Sequence, residues 1–260
     1  MTDPASPRAA EPLAYRDADF LNSDDARPIR ILAEYLKPHT VFRREGIAGT
    51  IVFFGSARLT EDGPLGHYYA DARELARLVT TWSRGLPHGS THPIVCTGGG
   101  GGIMEAANRG AAEAGGRTIG LNIELPHEQR PNPYLTRELT FDFRYFFMRK
   151  LWFAHLARAL AVFPGGFGTL DELMEILTLM QTRKIARKLP IVLYGSSYWN
   201  EVVNLDALVR HGMIDQADLD LFQFADDPAL AFDILRTRLA EDPAPGSPDF
   251  WEPGTRPSGE

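Results

Sequence analysis

The sequence predicts an α/β fold: a Rossmann-like doubly wound parallel sheet of about seven strands with helices on both faces. Short apolar runs alternate with stretches of helix length, the pattern of successive βαβ units. Two glycine clusters, Gly98–Gly102 and Gly165–Gly168, each follow an apolar run and open a helical pattern. Of the 260 residues, 44% are apolar, enough to cover both faces of a sheet within one large domain.

Taken in order, residues 1–26 are polar and rich in Pro, Ala and Asp, and are read as a flexible N-terminal segment. Ile29, Leu32, Ala33 and Leu36 recur at helical spacing and predict a helix over Arg27–Arg44. A single nucleotide-binding-type α/β domain, 27–241, is expected to begin with this helix and then to alternate. Strands are expected at Thr50–Phe54, Pro93–Cys96, Arg117–Leu121, Leu139–Phe143, Ala159–Phe163, Pro190–Leu193 and Leu221–Phe224. Helices are expected at Leu65–Ser83, Gly102–Ala114, Tyr145–Leu156, Thr169–Thr182, Tyr198–His211 and Pro228–Leu239. The Pro- and Gly-rich residues 242–260 are read as a flexible tail. In such sheets ligands bind beyond the carboxyl ends of the strands. Gly55-Ser56, the first glycine run and Pro164–Thr169 all fall there, which predicts one site.

A net charge of −7 and a pI near 5.5 exclude a typical nucleic-acid binder. The single cysteine, Cys96, allows no internal disulfide and reads as core packing at a strand end. No apolar stretch approaches the ~20 residues that span a membrane, and no basic region with an apolar run opens the chain. The expectation is a cytoplasmic protein without a membrane partner. The His residues are scattered and form no cluster with Cys96, so no metal site is expected.

The first glycine run is not a P-loop, because no Gly-Lys-Ser/Thr follows it. Nor is it a dinucleotide fingerprint, which wants a third glycine where Ile103 or Met104 stands. Five successive glycines exceed the needs of a turn and weaken the backbone, so they point to a ligand approaching the main chain. In the second cluster, Pro164 ends a strand, Thr169 reads as a helix N-cap, and Asp171 and Glu172 suit the positive helix end. Glu172, Glu175 and Thr178 make an i, i+3, i+6 row beside apolar residues, the mark of a face bordering a pocket. A third element, Met148-Arg149-Lys150, sits inside the aromatic run Tyr145–Phe153. Its two cations either snorkel from a buried helix or point into an anionic site, with Arg149 as a bidentate partner.

The three motifs in order, Gly98-Gly99-Gly100-x-Gly102-Ile103-Met104-Glu105-Ala106-Ala107-Asn108, Met148-Arg149-Lys150 and Pro164-Gly165-Gly166-x-Gly168-Thr169-x-x-Glu172, resemble the LOG family of cytokinin riboside 5′-monophosphate phosphoribohydrolases. The resemblance spans roughly Thr50 to Leu239. It implies cleavage of the N-glycosidic bond of a nucleoside 5′-monophosphate to free base and ribose 5-phosphate, with no cofactor. It implies catalytic roles for Arg149 and Glu172, and nucleotide contacts from Lys150, Gly166, Gly168, Thr169, Asp171 and Thr178. Ser56, Gly98, Gly99, Gly100, Gly102, Met148 and Gly165 complete the expected substrate-binding set, with the glycine loops and Thr169 holding the 5′-phosphate. Glu128 matches a further substrate-contacting acid, with Glu124 as the competitor. It also implies a homodimer with sites near the subunit interface. Chemically, a carboxylate at Glu172 stabilises an oxocarbenium-like sugar or deprotonates water. Arg149 hydrogen-bonds the departing base or orients Glu172. The rivals are a broader purine or pyrimidine monophosphate nucleosidase, a non-catalytic nucleotide or cofactor carrier, and a pyridoxal-dependent decarboxylase built on Lys150.

Overall fold

The structure, a computed structural model, describes residues 12–88, 91–124, 130–185, 187 and 189–241. Seven strands form one sheet: β1 (Thr50–Phe54), β2 (Ile94–Thr97), β3 (Thr118–Ile123), β4 (Thr140–Phe143), β5 (Ala157–Val162), β6 (Ile191–Tyr194) and β7 (Gln223–Ala225). Their spatial order is β4-β3-β2-β1-β5-β6-β7, and every neighbouring pair is parallel. All seven expected strands are present, β1 at its expected bounds and the others displaced by at most two residues at their ends.

Alternation along β1 sets the two layers. Ile51 and Phe53 point to one face and Val52 and Phe54 to the other, as the period of two in an extended chain requires. The Ile51 face is covered by α3 (Gly66–Arg84), α4 (Ile103–Glu113) and α9 (Pro228–Glu241). The Val52 face is covered by α2 (Arg27–Arg44), α5 (Phe146–Leu156), α6 (Phe167–Gln181) and α7 (Ser196–Val202). A sheet buried on both sides needs continuous apolar strands, and β1 and β5 are buried at every position.

The helix expected over Tyr198–His211 is two helices, α7 and α8 (Leu205–Arg210). The break comes at Asn204, whose side chain accepts from the Ala207 N–H at 2.9 Å and so starts a new helix. Residues 12–26, the described part of the expected flexible segment, carry a 3-10 turn at Ala14–Arg16 and a short α1 (Ala18–Asn22). Arg30 on α2 binds the carbonyls of Leu21 and Ser23, both at 2.6 Å, and holds this segment against the domain. The tail 242–260 lies outside the described residues. Cys96 is buried in the core, and burial pushes its thiol pKa well up, so it packs rather than reacts.

Candidate active site

The strand order reverses between β1 and β5, and the helices that follow these two strands, α3 and α6, pack on opposite faces of the sheet. Such a switch point opens a crevice at the carboxyl ends of the strands. Here the loop after β1 is pinned across it. Ser56 N–H donates to the Pro164 carbonyl at 2.9 Å, and Ile103 N–H donates to the Ser56 carbonyl at 3.0 Å. Ser56 Oγ accepts from the Arg58 N–H at 3.1 Å, closing a local turn.

The first glycine run serves this crossing. Gly102 has φ +63°, and a Cβ there would strike the Ser56 carbonyl. Gly99, at φ +73°, lies against the Asn122 side chain. Asn132 braces the run, its Nδ2 standing 3.2 and 3.0 Å from the Gly99 and Gly100 carbonyls and 2.9 Å from Asn108 Oδ1. Thr97 Oγ1 donates to the same Asn108 oxygen at 2.7 Å. Of the run, only Gly98 reaches the cavity wall. Gly99, Gly100 and Gly102 bring protein segments together, where the sequence suggested a ligand at the main chain.

The second segment is different. A Cβ on Gly165 would strike Thr169 Oγ1 and crowd Ser56 N, so this glycine is fixed by packing. Gly166 and Gly168 have nothing within 4 Å of a would-be Cβ, and both line the cavity. Helix α6 starts at Phe167 with Gly166 as N-cap and no side-chain cap. Thr169 is therefore not the N-cap expected from sequence. It lies buried inside the first turn, because Leu170 N–H already reaches the Gly166 carbonyl at 3.0 Å. An uncapped start leaves helical N–H groups beside an open space, which is an anion site in form. Tyr198 donates to the Gly165 carbonyl at 2.7 Å and ties the segment to α7.

The cavity between these loops has a volume of about 940 Å³, within the range of roughly 300–1,000 Å³ usual for small-ligand sites. Among the described residues its wall carries three charged side chains, Arg58, Arg149 and Glu172. Arg149 Nη2 donates to Glu172 Oε1 at 2.8 Å, joining α5 to α6. The guanidinium carbon lies 5.0 Å from the Phe146 ring centre and 5.7 Å from that of Phe153. Arg149 Nε is buried with no acceptor. Glu172 is 5% exposed. Burial raises its pKa above the ordinary carboxylate value, and the nearby charges of Arg149 and Lys150 oppose that only in part.

The neighbouring Lys150 turns away. Its Nζ pairs with Asp171 at 2.8 Å and Glu175 at 3.1 Å, outside the cavity wall. Burial alone would lower its pKa, but the bonds to Asp171 and Glu175 outweigh burial and raise it. Asp171 thus lies past the first turn and serves Lys150, where the sequence suggested a partner for the helix dipole. Met148 is core. Thr178 is exposed further along α6 and donates to the Met174 carbonyl at 2.7 Å. The structure therefore brings Ser56, Gly98, Arg149, Gly165, Gly166, Gly168, Thr169 and Glu172 onto one wall and leaves Met148, Lys150, Asp171 and Thr178 off it. Glu128 lies outside the described residues.

Sequence reasoning missed Arg58, Phe153 and Tyr198 on the wall, and Asn132 behind it. Only Asn132 had a local signal, its Pro-Asn-Pro turn setting. A second cavity, about 690 Å³, opens at the opposite ends of β6 and β7 and holds none of the motif residues. Among the described residues, no group of three or more His, Cys, Asp or Glu is placed to hold a metal, and no helix is long and apolar enough to cross a membrane.

Residues 104–235 match the model of a family described as "Possible lysine decarboxylase". A "Probable cytokinin riboside 5′-monophosphate phosphoribohydrolase LOG4" of Oryza sativa subsp. japonica is 30% identical over 151 residues, 57% of this chain. The match spans 62% of that relative's length. Among solved structures, the structural-genomics target TM1055 aligns with a TM-score of 0.52 at 21% identity, over 73% of this chain and 99% of its own. The molybdenum cofactor carrier protein of Chlamydomonas reinhardtii aligns with a TM-score of 0.50 at 24% identity, over 74% and 99% of the two chains. At these identities the two structures show the shared fold.

Proposed function

The chain belongs to the LOG family, and from that premise we propose that it hydrolyses the N-glycosidic bond of a nucleoside 5′-monophosphate, AMP or an N6-modified AMP. The observation that carries the reading is the buried Arg149–Glu172 pair on the wall of a cavity that also receives the uncapped, open start of α6. A phosphomonoester at the helix start and a ribose beside a carboxylate is the arrangement such a reaction needs.

In the reaction, water adds its oxygen to ribose C1′ while the C1′–N bond breaks and its electron pair goes to the base. One water proton leaves and the base nitrogen gains a proton, giving free base and ribose 5-phosphate. Glu172 stands where a carboxylate either opposes the developing positive sugar or takes the water proton. Arg149 acts as a hydrogen-bond donor that holds Glu172, a role that suits the fixed fork of a guanidinium better than that of an acid.

The decarboxylase named in the family description would use pyridoxal phosphate on a lysine held neutral enough to form a Schiff base. The residues do not fit. Lys150 is ion-paired on two sides, its pKa is raised, and it is not on the cavity wall. A non-catalytic carrier on the same fold has no need of a buried carboxylate locked to an arginine. The family resemblance also implies a homodimer, and the exposed Phe146 and Phe147 at the start of α5, beside the site, support that reading.

The test is a panel of nucleoside 5′-monophosphates and the matching nucleosides, incubated without added metal and assayed for free base and ribose 5-phosphate. Release from AMP or an N6-substituted AMP, with little from the nucleoside, is the expected result. Equal turnover of adenosine, or no base released from any monophosphate, would overturn it.

A further inference from the structure

We propose that Arg58 is the side-chain anchor for the substrate's 5′-phosphate and the residue that makes the cavity select phosphomonoesters. This rests on the reading of the cavity as a nucleotide site given above.

The inference follows from the charges on the wall. Arg149 and Glu172 neutralise each other. Lys150, the other cation of the motif, is committed to Asp171 and Glu175 and lies off the wall. That leaves Arg58, which forms no ion pair and no side-chain hydrogen bond among the described residues. A phosphomonoester brings about −1.5 to −2 charges at neutral pH, more than an uncapped helix start, worth roughly half a charge, can balance.

Placement agrees with charge. Arg58 sits two residues after Ser56, in a loop fixed by three bonds. Ser56 N–H holds Pro164, immediately before Gly165 and Gly166; Ile103 N–H holds the Ser56 carbonyl; and Arg58 N–H closes the turn on Ser56 Oγ. The backbone that carries Arg58 is thereby docked against the segment that leads into α6. The open space at Gly166 and Gly168 adjoins both on the same cavity wall. A guanidinium offers a planar fork matched to phosphate oxygens, which a backbone site alone lacks.

The experiment compares wild type, Arg58→Ala and Arg58→Lys by titration calorimetry with ribose 5-phosphate and with ribose, and by kinetics on AMP. Arg58 is exposed, so both variants are expected to melt with the wild type, and melting is measured alongside. Arg58→Ala is expected to weaken ribose 5-phosphate binding roughly 10- to 100-fold, the value of a hydrogen bond to a charged group. The Michaelis constant for AMP rises by a similar factor while kcat moves less, and Arg58→Lys recovers part of the loss. Undiminished ribose 5-phosphate binding by Arg58→Ala, or no such binding by the wild type, overturns the proposal. Arg58-dependent binding of ribose 5-phosphate without release of base from any monophosphate would leave it standing and remove the hydrolase reading instead.

Discussion

In the first glycine segment, Gly102 stands at φ +63° with the Ser56 carbonyl where its side chain would go, and Asn132 reaches the carbonyls of Gly99 and Gly100. In the second, Gly166 and Gly168 face open space at the start of an uncapped helix. Both segments end a parallel strand and begin a helix, and by composition they are near twins. The first uses missing side chains to let protein meet protein; the second uses them to leave room. Glycine richness at a strand end therefore marks close approach without saying what approaches, and only the neighbours of the absent Cβ decide.

The largest effect is expected from the second segment's helix. Glu172→Gln should reduce kcat by about 10²–10³, as loss of one electrostatic partner of a transition state does. Near-normal turnover by this variant would reduce Glu172 to an ion-pair partner of Arg149. The pH profile sharpens the point. The ionised carboxylate is the working form, so activity falls as pH drops through the pKa of Glu172. Burial raises that pKa, so the acid limb should lie above the ordinary value of 4.5, and Glu172→Gln should lack it.

A glycine pair tests the comparison itself. Gly102→Ala forces a side chain to positive φ, at roughly 1–3 kcal/mol, and into the Ser56 carbonyl, so its melting temperature should fall. Gly168→Ala meets nothing within 4 Å and lies inside α6. It should hold or gain stability, by roughly 0.5–1 kcal/mol, while kcat/KM on the monophosphate drops roughly 10- to 100-fold as the helix start is obstructed. Melting curves and kinetics on both variants decide. If Gly168→Ala unfolds and Gly102→Ala does not, the assignment of the two segments is reversed.

The smallest effect belongs to the brace. Asn132→Ala leaves the Gly99 and Gly100 carbonyls without that donor in a buried setting, at a cost of about 1–3 kcal/mol, read by urea denaturation. Because Asn132 is off the cavity wall, its loss should register in stability before it registers in the Michaelis constant.

The sheet was legible because both of its faces are buried. Runs such as Ile51–Phe54 and Ala159–Val162 are apolar throughout, and helices such as α3 and α4 carry a strong period. Helix starts were less legible. Thr169 has the chemistry of a cap, yet α6 begins before it, since the free helix end and not the hydroxyl is what the local fold presents. The pairing of Arg149 with Glu172 was foreshadowed by two motifs in one chain, but the divergence of Lys150 was not. Adjacent helical residues point about 100° apart, and which of them faces the cavity is set by the packing of α5 on α6. Arg58 and Tyr198 carried no pattern at all, because a loop arginine and a helix tyrosine are common everywhere.

The bond from Ser56 to the Pro164 carbonyl joins positions more than a hundred residues apart in the chain, across the point where the sheet changes direction. The cavity is thus a product of assembly and not of any contiguous segment. Strands β1 to β4 with their helices could be made without it, and so could β5 to β7. A molecule seated there touches both halves at once, so its binding free energy is charged against separating them. Occupancy should then protect the whole domain against unfolding, by about 2.7 kcal/mol at a hundredfold excess over the dissociation constant, and not merely quiet the loops that surround it.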